Sequence, residues 1–391
     1  MIKVLFVDDE PHVLDGLRRH MHCMRDHWQM RFVSGSAEAL QQLEVEPADV
    51  VVSDMRMPGP DGAQLLAQVR RKYPDAIRFI LSGQGERDAV IRATRNAHRY
   101  LTKPCDAAAL KEAIARALCL KKLMENDTLR QLVGHVDTLP SPPTVYLRLR
   151  ECLGSEEAAI DDVVDVIQKD VALTAKVLKL SNSGFFNRRE PFQSIKRAAA
   201  FLGTDTISTL VLGNELYEAG TIVLLPGFSL AQLSKHSFQT AAWARAVALH
   251  EGLSNSMAEQ AFLAGLLHDV GRLVFATRKP PALAQDLKKW QTDTTLQMVS
   301  HHAAMGAYLL GLWGFPEEIL EATLWHHCPS QSGKPGLGLA GLVHIGDQLM
   351  HEAAHPGETI SGGLEPGYLE SQHVTERWGE WQTLRPAPQA T

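Results

Sequence analysis

Over the first 122 residues short apolar runs alternate with stretches of helical period, and this alternation constrains the fold more than any other feature. The runs are Lys3–Val7, Arg31–Ser34, Val50–Ser53, Arg78–Leu81 and Arg99–Thr102. Between and after them lie amphipathic stretches at Val13–Met21, Ala37–Leu43, Gln64–Lys72, Asp88–Thr94 and Ala107–Leu118. Five β/α pairs of this length predict an α/β domain: a doubly wound, five-stranded parallel sheet with helices on both faces. In such sheets ligands gather at the carboxyl ends of the strands.

Those ends carry a chemical pattern. Asp8 and Asp9 follow the first strand, Asp54 the third, Ser82 ends the fourth, and Lys103 follows the fifth. Three converging carboxylates need a cation, and an all-oxygen set suits Mg²⁺. A hydroxyl and an ammonium beside them can hold phosphoryl oxygens. The set fits an aspartate nucleophile that becomes an acyl phosphate. Asp54 is the best candidate, because it stands alone while Asp8 and Asp9 can chelate the metal.

With these residues in view, the segment resembles the receiver domain of two-component response regulators from end to end. The matching pieces are Val7-Asp8-Asp9-Glu10-Pro11, Ser53-Asp54-Met55-Arg56-Met57-Pro58, Asp61-Gly62, Leu81-Ser82-Gly83 and Leu101-Thr102-Lys103-Pro104. The resemblance implies phosphorylation of Asp54 by a sensor histidine kinase or phosphotransfer protein. It also implies Mg²⁺ held by Asp9, Asp54 and the Arg56 carbonyl, with Asp8 supporting directly or through water. Ser82 would be the switch hydroxyl. Tyr100 sits at the usual aromatic switch position, with plain core packing as the alternative.

The remaining residues, from about Gln131 of the 391, show no convincing strand pattern. Amphipathic stretches at Ile160–Ser181, Phe238–Glu251, Ser256–Leu267, His302–Leu312 and Ile319–Trp325 predict an all-α second half. Pro140, Pro142, Pro143, Pro226 and Pro316 mark breaks between helices. The expected organisation is an α/β domain over 1–122, a charged helical linker over 123–130, a helical domain over 131–350, and a Gly- and Pro-rich tail over 351–391. A net charge of −6 and the lack of a basic stripe argue against direct DNA binding. No apolar run approaches a membrane span, and the cysteines Cys23, Cys105, Cys119, Cys152 and Cys328 form no C-x-x-C pair. A cytoplasmic protein with reduced thiols is the expectation.

Histidine is the compositional anomaly: eleven of the 17 lie from His236 onward. Their order is His236, then His268-Asp269, His302, the pair His326-His327, and Asp347. Successive helical residues diverge by about 100°, so one member of a doublet can bind one metal while the other bridges or binds a second. Imidazole with carboxylate suits Zn²⁺, Mn²⁺, Fe or Ni²⁺, and two such ions would activate water and clamp a phosphoryl group. For His250, His344, His351, His355 and His373 a hydrogen-bonded core histidine is the expectation, and His301 is read as the solvent-facing neighbour of His302.

The order resembles the HD phosphohydrolase superfamily, and the surrounding sequence resembles its HDOD output branch over residues 131–350. The matching pieces are Leu139-Pro140-Ser141-Pro142-Pro143, Leu180-Ser181-Asn182-Ser183, Ile195-Lys196-Arg197-Ala198, Phe201-Leu202-Gly203 and Phe262-Leu263-Ala264-Gly265-Leu266-Leu267-His268-Asp269. They continue at His302-Ala303-Ala304-Met305-Gly306-Ala307, Leu312-Trp313-Gly314-Phe315-Pro316 and Trp325-His326-His327. Related cyclic-dinucleotide phosphodiesterases carry a Gly-Tyr-Pro loop after their His-His-Glu, whereas Cys328-Pro329 follows here. Their Lys after His-Asp-x-Gly is Arg272, which keeps the charge but not its point geometry. The resemblance implies a phosphorylation-switched regulator that signals through a downstream protein. The second reading is a metal-dependent phosphohydrolase acting on a nucleotide or on a cyclic dinucleotide such as cyclic di-GMP. Receivers often pair through their later helices, so a homodimer is compatible with this make-up.

Overall fold

The computed structural model describes all residues except 84–95, 104, 105, 125, 126, 135, 137, 138, 142, 155–158, 184–189, 213–227, 278–295, 334, 335, 355–362, 385 and 387–391. The expected helix Asp88–Thr94, together with Pro104, Pro142, Pro226, Cys105 and His355, lies outside the described residues. The chain divides into two compact units. One comprises Met1–Thr138 with Asn182–Pro191 and Gly311–Gly314; the other comprises Leu139–Ser181, Phe192–Leu310 and Phe315–Thr391.

In the first unit the strands are β1 (Ile2–Val7), β2 (Trp28–Val33), β3 (Val50–Asp54), β4 (Ile77–Ser82) and β5 (Arg99–Thr102). All pair in parallel, in the order β2-β1-β3-β4-β5. The expected α/β sheet is therefore present. The strand order reverses between β1 and β3, which makes that crevice the binding edge of a doubly wound sheet. The central strands are apolar because helices cover both their faces: every residue of β3 and β4 is buried. Helices α1 (Pro11–His20), α2 (Ser36–Val45), α3 (Gly62–Lys72) and α4 (Ala107–Leu123) follow their strands. Asp61 caps α3 by accepting from the Gln64 N–H while the Gln64 side chain returns to the Asp61 N–H. Strand β2 begins three residues earlier than its apolar run suggests, because Trp28 is buried at its start.

Helix α5 (Asp127–Gly134) overlaps the stretch expected as a linker. Arg78, fully buried on β4, donates to the Gly134 carbonyl at 2.8 Å and to those of Ala76 and Asn96 at 3.0 and 2.8 Å. These carbonyl oxygens meet the donors of the buried guanidinium, which would otherwise lose the hydrogen bonds that water gives it.

The described residues of the second unit contain helices and turns but no strand. They are α6 (Pro143–Gly154), α7 (Ile160–Ile167), α8 (Val171–Ser181), α9 (Ile195–Leu212), α10 (Leu230–His250), α11 (Asn255–Leu267), α12 (Val270–Thr277), α13 (Leu296–Leu312), α14 (Glu317–Trp325) and α15 (Leu339–Ala354). The stretch Ile160–Ser181, which reads as one amphipathic segment, is two helices. Buried Asp170 divides it by accepting from the Leu173 N–H at 2.7 Å at the start of α8. The core centres on α10, which packs against α11 and α15. The region read as a tail continues α15 to Ala354 and adds α16 (Tyr368–Ser371) and α17 (Trp378–Gln382). Its apolar residues find a core: Trp381 is fully buried and donates to Glu251 at 2.8 Å.

Candidate functional site

Two clusters of titratable side chains stand out, one in each unit. In the first, the β1–β3 register pairs Val7 with Ser53, so Asp8 and Asp54 follow side by side at the carboxyl edge. Strand β4 places Leu81 against Asp54, and β5 places Thr102 against Ser82, bringing Lys103 to the same edge. Lys103 Nζ donates to Asp8 Oδ2 at 2.7 Å and forms a shorter ion pair with Asp54 Oδ1. The second oxygen of Asp54 accepts from the Arg56 N–H at 2.8 Å. Asp8, Asp54 and Ser82 are buried and Asp9 is half-buried.

Burial pushes the Asp54 carboxyl upward, and this outweighs the pull of the Lys103 ammonium. Burial pushes Lys103 downward, but Asp54 and Asp8 outweigh it and hold the ammonium above its usual range. Gly62 makes the edge compact: a Cβ there would lie 2.0 Å from the Asp54 carbonyl oxygen, so α3 can begin against β3 only without a side chain. Tyr100 is buried on β5, with no hydrogen-bond partner for its hydroxyl among the described residues.

The second cluster lies where helices of the helical unit end. His268 closes α11, Asp269 stands between α11 and α12, and His326 closes α14. Gly271 brings the first group onto α13, since a Cβ there would lie 1.9 Å from the His302 carbonyl oxygen. All seven residues singled out in the sequence come together. His236 Nε2 lies 3.2 Å from His268 Nε2, and His302 Nε2 lies 3.2 and 3.4 Å from those of His327 and His326. Asp269 stands between the two groups. Its Oδ2 is 3.4 Å from His236 and 3.5 Å from His268, and its Oδ1 is 3.0 Å from His302 and 3.9 Å from His326. Asp347 Oδ1 is 3.3 Å from His236 Nε2.

Two backbone contacts orient this cluster. His268 Nδ1 meets the Gly265 carbonyl at 2.6 Å, and His326 Nδ1 meets the Thr323 carbonyl at 2.7 Å. A carbonyl only accepts, so each Nδ1 donates, and the neutral ring presents its Nε2 lone pair to the cluster. Burial pushes His326 well below the usual imidazole range, His327 down to about 3, and His268 down as well. Burial pushes Asp269 upward, but Arg272 and His268 outweigh it and hold the carboxyl well below its usual range. His236 runs the other way from its two buried neighbours: burial lowers it, yet Asp269 and Asp347 hold it above its usual value.

The donor set fits transition-metal ions. Several lone pairs face one another at 3.2–3.4 Å. Both oxygens of Asp269, which is 1 % exposed, lack a hydrogen bond of proper geometry. Arg272 Nε lies 3.0 Å from Oδ1 as an ion pair only. Buried acceptors left this way are costly, and a cation between them removes the cost. Neutral imidazoles with ionised carboxylates are the forms that ligate.

Two family models match the chain: the response regulator receiver domain at residues 4–115 and the HDOD domain at residues 139–329. The chain joins a receiver domain to an HDOD domain. An uncharacterized protein of Treponema pallidum is 25 % identical over 204 residues, covering 50 % of this chain and 39 % of the relative. The C4-dicarboxylate transport transcriptional regulatory protein DctD of Pseudomonas aeruginosa is 29 % identical over 224 residues, covering 54 % and 46 %. The chain thus spans less than half the length of these relatives. Among solved structures, the receiver domain of an HD domain-containing protein from Pseudomonas fluorescens matches at 28 % identity and TM-score 0.30, covering 31 % of this chain and 98 % of that one. The MmoQ response regulator of Methylococcus capsulatus matches at 20 % identity and TM-score 0.48, covering 63 % and 99 %.

Asp347 lies beyond the HDOD match, on α15. The same helix carries His344, the hydrogen-bonded core histidine expected from the sequence, and His351, whose place beside the cluster sequence reasoning missed. His344 is buried: its Nδ1 donates to the His326 carbonyl at 2.7 Å, and its Nε2 accepts from the Glu365 N–H at 2.9 Å. It therefore positions the end of α14, where His326 and His327 sit. His351 lies 3.7 Å from Asp347 Oδ1 at the open side of the HDOD cluster. Its spacing of four residues from Asp347 on one helix was the available signal. His301 is half-buried rather than solvent-facing, and exposed His250 pairs with Glu380 at 3.0 Å. Among the described residues no helix is long and apolar enough to cross a membrane.

Proposed function

We propose that this chain is a response regulator switched by phosphorylation of Asp54, with the HDOD unit as its output. The observation that carries the reading is the Lys103 ammonium bound to both Asp8 and Asp54 at the switch point of the sheet. The phosphoryl donor is a phosphohistidine of a sensor kinase or phosphotransfer protein. An Asp54 oxygen attacks phosphorus, the P–O bond of the acyl phosphate forms, and the P–N bond to the donor imidazole breaks. Asp9, Asp54 and the Arg56 carbonyl, with Asp8 in support, would hold Mg²⁺, which would supply neutralisation of charge on the transferring group. Lys103 leaves the Asp54 carboxylate to hold a phosphoryl oxygen, and the Ser82 hydroxyl can take another. These contacts favour one receiver surface over another, and output through a downstream protein follows as a population shift. Tyr100 is the aromatic reporter of that shift.

Incubation of the full chain with acetyl phosphate and Mg²⁺, followed by phosphate-affinity electrophoresis, tests the assignment. A retarded band that disappears in Asp54→Asn is expected. An unretarded wild-type chain, or a band that survives the substitution, overturns it.

A second reading rests on the buried carboxylate of Asp269, which lies among five imidazoles and accepts no hydrogen bond of proper geometry. Here His236, His268, Asp269 and Asp347 form one ligand group, and His302, His326 and His327 form the other, with Asp269 between them. Mn²⁺, Fe, Zn²⁺ or Ni²⁺ bound there would supply Lewis-acid activation of water and a clamp for a phosphoryl group. Arg272, half-exposed beside Asp269, would meet an anionic nucleotide or cyclic dinucleotide. Elemental mass spectrometry of the purified chain should find transition metal that is lost in both His268→Ala and Asp269→Ala. A chain that stays metal-free after exposure to Mn²⁺, Fe and Zn²⁺ removes this reading and leaves the regulator.

A further inference from the structure

Helix α15 brings two ligand-type side chains, Asp347 and His351, to the open side of the HDOD cluster. His351 Nε2 lies 3.7 Å from Asp347 Oδ1, and Asp347 Oδ1 lies 3.3 Å from His236 Nε2. The His351 and His236 rings are 5.3 Å apart between centroids. One ligand atom from each of the three falls within 4.8 Å of the others. Two donors bound to one ion at about 2.1 Å sit roughly 3–3.5 Å apart, so this trio is close to ligating dimensions as it stands. Thr240 Oγ1, 3.3 Å from Asp347 Oδ1, steadies the carboxylate from α10.

A second trio, His236, His268 and Asp269, shares His236 with the first. An imidazole Nε2 has one lone pair and serves one cation at a time, whereas a carboxylate has two oxygens and can serve two. The trios also differ in their surroundings: the side chains of His268 and Asp269 are each 1 % exposed, while those of Asp347 and His351 are 19 % and 30 % exposed. His268 and Asp269 are thus shielded from water, whereas the shared His236, at 18 %, and the outer pair border it.

We propose that Asp347 and His351 form a third, outer position for a divalent transition-metal ion, at the mouth of the inner HDOD cluster. This rests on the metal-binding reading of that cluster. With His236 committed to the inner group and Asp347 shared between that group and the outer position, the outer ion keeps two protein ligands and completes its shell with water. It binds more weakly and exchanges faster than the inner ions. Neither Asp347 nor His351 lies in the stretch that matches the HDOD family.

The test is equilibrium dialysis of the full chain against graded Mn²⁺, with bound metal read by elemental mass spectrometry. The wild type is expected to fill the inner positions first and then take up one further ion at Mn²⁺ concentrations at least tenfold higher. His351→Ala and His351→Gln should lose that last ion and keep the inner ones, with melting temperatures close to wild type. A last step that persists in both variants, or a wild type with only the tight phase, overturns the outer position while leaving the inner site intact. A wild type that binds no Mn²⁺ overturns both, so the two failures are distinguishable.

Discussion

The receiver edge and the HDOD cluster solve the same electrostatic problem in opposite ways. Each crowds buried carboxylates at the ends of secondary-structure elements. In the receiver the chain supplies its own cation, since Lys103 binds Asp8 and Asp54 directly. In the HDOD unit Asp269 is surrounded by imidazoles whose lone pairs face inward, and neither of its oxygens accepts a proper hydrogen bond. The first site is internally compensated and suits reversible chemistry on one carboxylate. The second has Arg272 as a partial counter-charge on one Asp269 oxygen, and a bound cation would add to it, coupling ligation to stability there.

The contrast breaks most sharply at Asp269. Asp269→Asn removes the carboxylate between the two imidazole groups, and metal affinity should fall by a hundredfold or more, on the order expected above a lost outer-shell contact. Titration of the purified variant with Zn²⁺ measures it; affinity within threefold of wild type would remove Asp269 from the ligand set. Asp54→Asn should abolish phosphorylation by acetyl phosphate yet leave the metal content of the HDOD unit unchanged. Loss of bound metal in that variant would mean that the two sites are not chemically separate.

Smaller effects sharpen the comparison. Gly271→Ala places a Cβ 1.9 Å from the His302 carbonyl oxygen, and overpacking of this kind costs about 1–3 kcal/mol. Chemical denaturation should show a lower midpoint for the HDOD transition, and an unchanged midpoint would mean that α12 and α13 can separate freely. Acid should act on the same unit through His344. Burial holds this ring below the usual imidazole range, and its Nε2 must stay unprotonated to accept from Glu365. The unfolded ring titrates near about 6.5, so the native state binds fewer protons below that pH. Its stabilisation is complete above about pH 6.5 and is lost as the pH falls toward the depressed native value. Tryptophan fluorescence melts at descending pH follow this, because every tryptophan except Trp28 lies after residue 242. A His344→Gln variant should show a flatter dependence; an equal slope would assign the proton to another group.

The receiver was legible almost residue by residue, because its information is local. Short apolar runs locate strands, and the residue after each strand must lie at one edge of a parallel sheet. Asp8, Asp54, Ser82 and Lys103 therefore converge once the topology is granted. Helical sequence carries less. The pattern over Ile160–Ser181 hid a break, because Asp170 is buried by tertiary packing and caps α8 from inside. The C-terminal stretch read as a tail, because only the contact with Glu251 shows where Trp381 goes.

By itself the sequence determined the two fold classes, the carboxylates and lysine of the receiver edge, and the residue types able to bind metal in the helical half. Tertiary structure alone decided which of the later histidines belong together. It made Asp269 the group between two sets of imidazoles, turned His344 into a prop for the end of α14, and brought His351 beside Asp347 and His236. The physical reason is range. Neighbours along a strand or one helical turn meet by backbone geometry, whereas side chains separated by 24 to 32 residues, as in His302–His326 and His236–His268, meet only when helices pack.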